Sequence, residues 1–363
     1  MTHSHLEARS LGRVLVTGGA GFIGTAIAPL LRDTQQVVAF DNLHPQIHAS
    51  GTRPDALAEH VELVVGDVSS AADWDRVLDD ISPDTVIHLA AETGTGQSLS
   101  ESTRHAMVNV VGTTQMLDAL RRHDRVPERI VLTSSRAIYG EGAWADRSGR
   151  TVYPGQRSVA QLEAGQWDFP EMGPLPMNAE EVQPNPVSVY AATKLAQEHL
   201  LRTWADSYEV QAVILRLQNV YGPGQSLINP YTGIMSLFCR MAMGGKSIPL
   251  YEDGEVRRDF VLIDDVARAV VAAAKVASAP RSPLDIGLGT MHTIADAAQL
   301  ISAEYGAPAP HVSGAYRLGD VRHAWADISR AQEALGWTPQ HDLRDGIHRL
   351  VDWINAQPDV RVA

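Results

Sequence analysis

Short apolar runs alternate with segments of helical periodicity along the first two thirds of the chain. The runs are rich in Val, Ile and Leu and largely lack polar alternation, which predicts strands buried on both faces of a sheet. They lie at 14–16, 36–41, 61–68, 85–91, 129–133 and from 210 onward. Strands and helices alternating at this spacing predict an α/β fold with a doubly wound parallel sheet and right-handed crossovers.

The first apolar run leads directly into a glycine-rich turn. Gly18 and Gly21 precede a segment of helical periodicity over 22–31, and Gly24 lies in its first turn. Glycines let the backbone approach a pyrophosphate, and a helix start offers unpaired N–H groups, so this order predicts a dinucleotide site. Asp41, 20 residues after Gly21, lies where a carboxylate accepts hydrogen bonds from an adenosine ribose and favours NAD over NADP. The alternative is a loop carboxylate without a ligand.

Polar side chains that resemble a reaction centre follow the fifth run. The segment 133–135 ends a strand at the ligand-binding edge of the sheet, although serines there also cap helices and turns. Tyr190 and Lys194 share one face of a helix predicted from 187 to about 207. A Lys beside a Tyr favours the phenolate and lowers the Tyr pKa, as a general acid–base requires. His88 lies in an apolar run, where a hydrogen-bonded core histidine is the commoner outcome.

The composition of the 363 residues, with 44% hydrophobic and 20% charged side chains, is that of an ordinary globular protein. A net charge of −13 argues against nucleic-acid binding but still admits an anionic small ligand beside local arginines. No apolar run approaches the roughly 18 residues of a membrane span, and the polar N-terminus lacks a signal-peptide core. The single Cys239 permits no internal disulfide, so we expect a cytoplasmic protein without membrane contacts.

Together these motifs resemble the extended short-chain dehydrogenase/reductase superfamily, in its nucleotide-sugar epimerase/dehydratase branch. The resemblance extends over essentially the whole chain. The matching residues are Thr17-Gly-Gly-Ala-Gly-Phe-Ile-Gly24, Gly66-Asp67-Val68, His88-Leu-Ala-Ala91, Ser135 and Tyr190-x-x-x-Lys194. It implies a Rossmann domain for NAD over 11–216 with an insert at about 141–187. A smaller C-terminal α/β substrate-binding lobe over 217–357 would return some chain to the sheet.

The resemblance also implies roles for individual residues. Tyr190 would be the catalytic acid–base, Lys194 would hold the nicotinamide ribose and tune Tyr190, and Ser135 would bind a sugar oxygen and assist proton transfer. The residues implied in cofactor binding are Gly18, Gly21, Phe22, Ile23, Gly24, Asp41, Asn42, Asp67, Val68, Leu89, Ala90, Ala91, Asn109, Tyr190 and Lys194. Those implied in substrate binding are Thr93, Ser135, Arg136, Asn219, Arg258 and Arg317.

The two last arginines would meet the diphosphate of a nucleotide sugar, since a guanidinium fork suits phosphate oxygens. Arg322 is a further candidate for the same role. The alternative is that these arginines pair with local carboxylates such as Asp259, Asp264 or Asp320.

The residues after Ser135 limit which reactions of this branch the protein can catalyse. In dehydratase and decarboxylase relatives a carboxylate in this stretch performs acid–base work, whereas Arg136 and Ala137 stand here. We therefore expect NAD-dependent epimerisation at C4 through a transient 4-keto sugar. The segments 91–98, 135–142 and 218–233 resemble dTDP-6-deoxyhexose 4-epimerases, and that resemblance is the only ground for dTDP.

Two other functions remain open at this point. A 4-ketoreductase of deoxysugar biosynthesis would use the same residues and exchange its cofactor at each turnover. A catalytically silent NAD-binding regulator would keep the fold without the reaction. We expect the insert 141–187 to cover substrate or contact a subunit, and to hold no zinc because it contains no cysteine. The resemblance implies a homodimer formed through the helices near 98–122 and 187–207.

Overall fold

The computed structural model describes residues 9–48, 50–227 and 233–357. Strands β1 to β17 span, in order, Arg13–Thr17, Gln36–Asp41, Glu62–Val65, Thr85–His88, Arg129–Ser135, Trp144–Ala145, Thr151–Val152, Gly173–Pro174, Gln211–Leu217, Asn219–Tyr221, Pro249–Leu250, Arg257–Arg258, Phe260–Leu262, Leu284–Ile286, His292–Thr293, His311–Val312 and His323–Ala324. Helices α1 to α12 span Phe22–Ile27, Ala71–Asp80, Gln97–Ser100, Ser102–His105, Gly112–Arg122, Val159–Glu163, Val189–Ser207, Ile234–Met243, Ile263–Lys275, Ile294–Tyr305, Ser329–Leu335 and Leu343–Asn355. Turns of 3₁₀ helix lie at Ala28–Leu31 and Arg136–Tyr139, and a π-helical segment lies at Ala106–Val111.

Seven parallel strands form the central sheet in the order β14-β9-β5-β4-β1-β2-β3. This arrangement confirms the predicted doubly wound parallel sheet. β1 pairs with β2 on one side and with β4 on the other. The strand order therefore reverses between β1 and β4, and ligands bind at such a switch point, beyond the carboxyl ends of the strands.

Buried apolar side chains cover both faces of this sheet. In β1, Val14 and Val16 belong to the core under α1 and α9, whereas Leu15 between them belongs to the core under α2, α5 and α7. Successive side chains of a strand point to opposite faces, so an unbroken apolar run is what a strand covered on both sides requires. The sheet is thus fixed between two helical layers, and its carboxyl edge remains for ligands.

A smaller lobe follows β9 and has its own core. Met235 and Phe238 of α8 pack there with side chains of α10 and α12. The last helix of the lobe, α12, is capped at its N-terminus, since the Asp342 carboxylate accepts the backbone N–H of Asp345 at 2.9 Å. β14 returns to the central sheet and pairs with β9, as the resemblance implied.

Two predicted helices differ from the structure. The helix predicted over 98–122 is divided into α3, α4, the π-helical segment and α5, because Glu101 leaves helical geometry at φ −122° and ψ 44°. The sequence 324–335, followed by Gly336, predicts a helix with a glycine stop, but this segment begins as β17, which pairs with β12, and its helix starts only at Ser329. Its predicted glycine stop is present at Gly336, with φ 59°.

In the part of the chain described, no helix is both long and apolar enough to cross a membrane.

Candidate active site

A cleft of about 1110 Å³ opens at the carboxyl ends of the central strands, between the sheet and the smaller lobe. Ligand pockets of roughly 300–1,000 Å³ hold a drug-sized molecule, so this cleft has room for a dinucleotide and a second ligand. Every residue predicted to bind cofactor or substrate lines it, with the exceptions of Asp67 and Asn109. Segments far apart in the sequence are therefore brought to one place.

The glycine turn after β1 forms one wall of the cleft. Gly18 has φ +66°, and a Cβ there would lie 2.8 Å from the backbone nitrogen of Ala90. A Cβ at Gly24 would lie 2.4 Å from the carbonyl oxygen of Gly19. A Cβ at Gly21 would meet only the carbonyl oxygen of Gly18, at 3.2 Å. Gly18 and Gly24 are thus required by close backbone packing, whereas Gly21 leaves its backbone open to a ligand in the cleft.

Asp41 lies at the end of β2, where a ribose acceptor was expected. Its carboxylate accepts the backbone N–H groups of Ala20 at 3.1 Å and Leu43 at 2.9 Å. It also lines the cleft. An ionised carboxylate has about four acceptor positions, so two remain for hydroxyl groups of a ligand. The contact with Ala20 holds the glycine turn and the end of β2 together.

Asp67 and Asn109 lie outside the lining of the cleft, and their direct contact with the cofactor stays a prediction. Asp67 accepts hydrogen bonds from Ser69 and from Asn42, which itself lines the cleft. Asn109, fully buried in the π-helical segment, accepts the N–H of Glu92 at 2.8 Å and donates to its carbonyl oxygen at 3.0 Å. Both residues position neighbours that face the cleft.

Tyr190 lies in the first turn of α7 beside Ser135, at the end of β5, and both line the cleft. Burial raises the pKa of Tyr190, while a hydrogen bond with Ser135 and the charge of Arg136 act in the opposite direction. The expectation that Lys194 lowers this pKa is not met. The groups that favour the phenolate in this structure are Ser135 and Arg136.

Lys194 lies one turn after Tyr190 and is 3% exposed. Burial lowers its pKa to about 7, against the opposing charge of Glu198, so the ammonium is only partly charged near neutral pH. The amine lines the cleft and makes no hydrogen bond to any residue within the described ranges. A buried donor that faces a cavity in this way fits the ribose hydroxyls of a nicotinamide dinucleotide.

A buried polar network fixes α7 to the sheet beneath these residues. Glu198, one turn after Lys194, accepts a hydrogen bond from Ser134 and two from Arg216, at 3.1 and 2.8 Å. Arg216 also donates to the Tyr139 hydroxyl at 2.9 Å. Every partner is buried, so the network joins β5, α7 and β9 rigidly.

His88 is a core residue, as predicted. Its ring nitrogens lie 2.6 Å from the Thr17 hydroxyl and 3.0 Å from the Thr113 hydroxyl. Burial and the nearby Lys194 lower its pKa to about 3, so the ring is neutral at working pH.

The arginines predicted to meet the diphosphate reach the far end of the cleft by different means. Arg258 is buried and donates to the carbonyl oxygens of Arg257, Val321 and Arg322. Arg317 is exposed and stacks over the Tyr251 ring at 5.2 Å. Neither forms an ion pair with a carboxylate among the described residues, so the predicted alternative of local pairing is not found.

Arg136 and Asn219 form a further pair on the cleft wall. The Nε of Arg136 donates to the Asn219 side-chain oxygen at 3.0 Å. The remaining guanidinium donors of Arg136 are available to oxygen atoms in the cleft.

Arg322 does not serve the cleft, which corrects its candidate role. Its side chain is 1% exposed and lies among the carboxylates of Asp168, Glu252 and Asp253, with N–O distances of 2.7–3.1 Å. A guanidinium has five donors, and these contacts occupy them. Arg322 therefore joins the insert, through Asp168, to the smaller lobe.

The insert braces the lobe rather than covering the cleft. Arg157 donates to Glu252 at 2.7 Å and to the carbonyl oxygen of Asp320 at 2.9 Å, next to the segment that carries Arg317. Of residues 141–187 only Val187 lines the cleft. The expectation that the insert covers substrate is thus wrong for this structure, because its polar side chains are engaged in the lobe.

Several cleft residues escaped the sequence analysis. They include Gln46, Glu92, Arg104, Gln218, Arg240, Tyr251 and Glu252. Glu92 and Gln218 lie beside predicted residues and were within reach of the motifs. The others come from segments without a recognisable pattern. Within the described ranges no three His, Cys, Asp or Glu side chains are grouped to hold a metal ion, and the expected lack of zinc stays a prediction.

Comparisons with known proteins agree with this geometry. Residues 14–289 match the model of the NAD dependent epimerase/dehydratase family. The chain is 58% identical over 348 residues to the dTDP-L-rhamnose 4-epimerase of Burkholderia thailandensis, covering 96% of each chain. The solved UDP-glucose 4-epimerase of Thermotoga maritima with UDP-glucose is 27% identical with a TM-score of 0.78, covering 94% of this chain and 98% of that one. The UDP-glucose 4-epimerase of Thermus thermophilus with NAD is 29% identical with a TM-score of 0.75, covering 95% and 99%.

These matches confirm three expectations from the motifs: the Rossmann-type sheet, NAD as cofactor and nucleotide-sugar epimerisation as the activity class. The chain belongs to the NAD dependent epimerase/dehydratase family.

Proposed function

We propose that the protein epimerises C4 of a dTDP-6-deoxyhexose, with dTDP-L-rhamnose as the first substrate to test. The observation that carries the proposal is the chemistry beside Ser135 and Tyr190. Arg136 and Ala137 occupy the stretch where elimination would need a carboxylic acid. The relative that is 58% identical, named for dTDP-L-rhamnose, supports the choice of sugar and base.

The residues around the cleft support a simple proton cycle. Tyr190 accepts the proton of the sugar 4-hydroxyl and later returns it, and Ser135 holds the same oxygen by a hydrogen bond. Bound NAD supplies the hydride acceptor and donor for C4. Lys194 and Asp41 would hold the two ribose units, and the turn at Gly21 would receive the pyrophosphate. The reaction is redox-neutral and needs no second substrate.

At the far end of the cleft, Arg317 and the unused donors of Arg258 face the position of the nucleotide diphosphate. Arg136, tied to Asn219, would bind sugar oxygens and favour the Tyr190 phenolate. Since the diphosphate would be held by two arginines and the sugar only by exchangeable hydrogen bonds from Ser135 and Arg136, the 4-keto sugar could release these bonds, turn in the cleft and offer its other face. Rotation between two hydride transfers is what inversion at C4 requires.

The test is incubation of the purified protein with dTDP-L-rhamnose, followed by proton NMR of the sugar. We expect a new sugar that differs only in the couplings at H4, with no net change in absorbance of the NADH band. UDP-glucose serves as the comparison substrate. Stoichiometric consumption of added NADH or NADPH would favour a 4-ketoreductase instead. Tightly bound dinucleotide without turnover of any nucleotide sugar would favour the silent regulator.

The finer expectation of a homodimer also belongs to this proposal. Met107 lies in the segment near 98–122 that the resemblance assigns to a subunit contact, and its side chain is 43% exposed. Apolar side chains left in water at such positions support a second copy of the chain as their cover. Light scattering on the eluting peak measures the mass directly, and a monomer would contradict the expectation.

A further inference from the structure

The strand order places two loops on opposite sides of the glycine turn. β1 lies between β2 and β4, and the turn at 18–24 leaves the carboxyl end of β1. The loop at 42–48 follows β2, and the loop at 89–96 follows β4. Any direct contact between these two loops must therefore cross the glycine turn. Both loops contribute to the lining of the cleft on this side.

Five side chains connect the loop after β2 with the loop after β4 and with the helices α3 and α4 that follow it, and we name them the Arg104 clasp. They are Gln46, Glu92, Gln97, Glu101 and Arg104. The Arg104 guanidinium lies 2.8 Å from Glu92 and 2.8 Å from Glu101, and it donates to the Gln46 side-chain oxygen at 3.1 Å. Gln97 exchanges hydrogen bonds of 3.2 Å with Gln46 and donates to Glu101 at 3.0 Å. Arg104 is thus held by three partners, of which Gln46 belongs to the opposite loop.

The clasp is anchored on the β4 side by buried groups. Gln97 is 2% exposed, and the Asn109 side chain holds the backbone of Glu92 from both its N–H and its carbonyl. Glu92 and Arg104 are themselves 14% and 28% exposed at the side chain. Ion pairs so far removed from water are screened less than surface pairs. The contacts with Gln46 are therefore the ones that join this anchored group to the loop after β2.

We propose that the Arg104 clasp retains NAD in the cleft between turnovers. A dinucleotide seated on the glycine turn lies beneath the contact that joins the two sides, and it leaves only when Gln46 separates from both Arg104 and Gln97. The inference rests on the proposed function, because a redox-neutral epimerase works with one retained cofactor molecule. A reductase, which must exchange its cofactor at every turnover, would be slowed by the same contact.

The clasp is tested by the rate at which bound NAD exchanges with the solution. The purified protein, loaded with NAD, is mixed with an excess of deuterated NAD, desalted at intervals and denatured, and the released nucleotide is analysed by mass spectrometry. We expect the wild type to exchange more slowly than it turns over sugar. Arg104→Ala should exchange roughly ten-fold faster, corresponding to about 1.4 kcal/mol, and Arg104→Lys should lie between them.

Arg122→Ala is the matched control. Arg122 is also a helix arginine with an acidic partner, Asp75, but its ion pair lies outside the cleft. This variant should exchange NAD at the wild-type rate. If Arg104→Ala proves unfolded by circular dichroism, Glu92→Gln removes the opposite charge of the same pair and takes its place. Equal exchange rates in the clasp variants and Arg122→Ala would overturn the proposal.

The exchange measurement contains no sugar, so it is independent of the proposed reaction. Slow exchange that depends on Arg104, in a protein that turns over no nucleotide sugar, would overturn the proposed function and leave the clasp. Normal epimerisation with exchange unaffected by Arg104→Ala would overturn the clasp alone.

Discussion

The two halves of the cleft are built in different ways. The cofactor half is lined by continuous stretches, 20–25 and 89–96, each leaving a neighbouring strand of one parallel sheet. The substrate half is lined by Tyr251, Arg258 and Arg317, which come together because β12 pairs with β17 and because the insert braces the segment after Arg317. One half is local in sequence and the other is assembled from distant segments.

This difference separates catalysis from specificity. Tyr190, Ser135 and Lys194 are fixed to the sheet by the Glu198–Arg216 network, so the reaction centre belongs to the rigid half. The residues that would select nucleotide and sugar depend on the insert and on Arg322. Substrate preference can therefore change in this fold without disturbing the hydride and proton chemistry.

The largest expected effect is the loss of the acid–base in the rigid half. Tyr190→Phe should lower kcat by about 10²–10⁴-fold, the usual contribution of positioned proton transfer, and keep NAD bound. Turnover is measured by NMR and bound NAD by absorbance after denaturation. Tyr208→Phe, at the exposed end of the same helix, is the control and should behave as wild type. An active Tyr190→Phe would remove the assigned acid–base.

The sequence was sufficient to predict the site residues that lie at the ends of strands and helices. Gly18, Asp41 and Tyr190 stand at strand or helix ends, so their spacing alone placed them at one edge of the sheet. The roles of Arg258 and Arg322 were not separable in the sequence, because both are arginines beside acidic residues. Which of the two arginines faces the cleft depends on the pairing of β12 with β17 and on the ion pair between Arg322 and Asp168 of the insert. Both are contacts between residues far apart in the chain. The Arg104 clasp escaped for the same reason, since Gln46 and Arg104 meet only in the folded protein.

The next effect tests whether the substrate half depends on its buried charges. Arg322→Met leaves the carboxylate of Asp253 without its cation, whereas Glu252 keeps Arg157 and Asp168 keeps His323. The two aspartates are partly exposed and Glu252 stays paired, so losing the charged hydrogen bonds of Arg322 should lower the free energy of unfolding by about 1.5–3 kcal/mol, and KM should rise. NAD affinity should stay close to wild type, because the cofactor half is held separately. Denaturant unfolding, steady-state kinetics and NAD titration measure the three quantities.

Arg349→Met is the control for this change. Arg349 is 45% exposed and pairs with Asp264 and Asp345 on the surface, where an ion pair contributes about 0–1 kcal/mol. Should Arg322→Met weaken NAD binding as much as it raises KM, the two halves would not be independent, and the comparison would fail.

The smallest expected effect comes from removing one helix N-cap in each half of the cleft. Ser188 caps α7 by accepting the N–H of Ala191 at 3.1 Å, and Thr293 caps α10 by accepting that of Asp296 at 2.9 Å. Replacing either residue with Ala should cost about 1 kcal/mol of stability, the usual contribution of a helix cap. The two variants should therefore melt at similar temperatures, below that of the wild type.

Their effects on turnover should differ. Tyr190 is the second residue of α7, so loosening the first turn displaces the acid–base, and Ser188→Ala should lower kcat by roughly ten-fold because small misplacements at a reaction centre are costly. α10 carries no residue of the reaction centre, and Thr293→Ala should leave kcat at the wild-type value. Thermal melts and kcat, measured on the same preparations, decide the matter. Equal losses of kcat in the two variants would mean that general stability, and not the local position of Tyr190, controls turnover. The distinction between a rigid catalytic half and an assembled specificity half would then no longer hold.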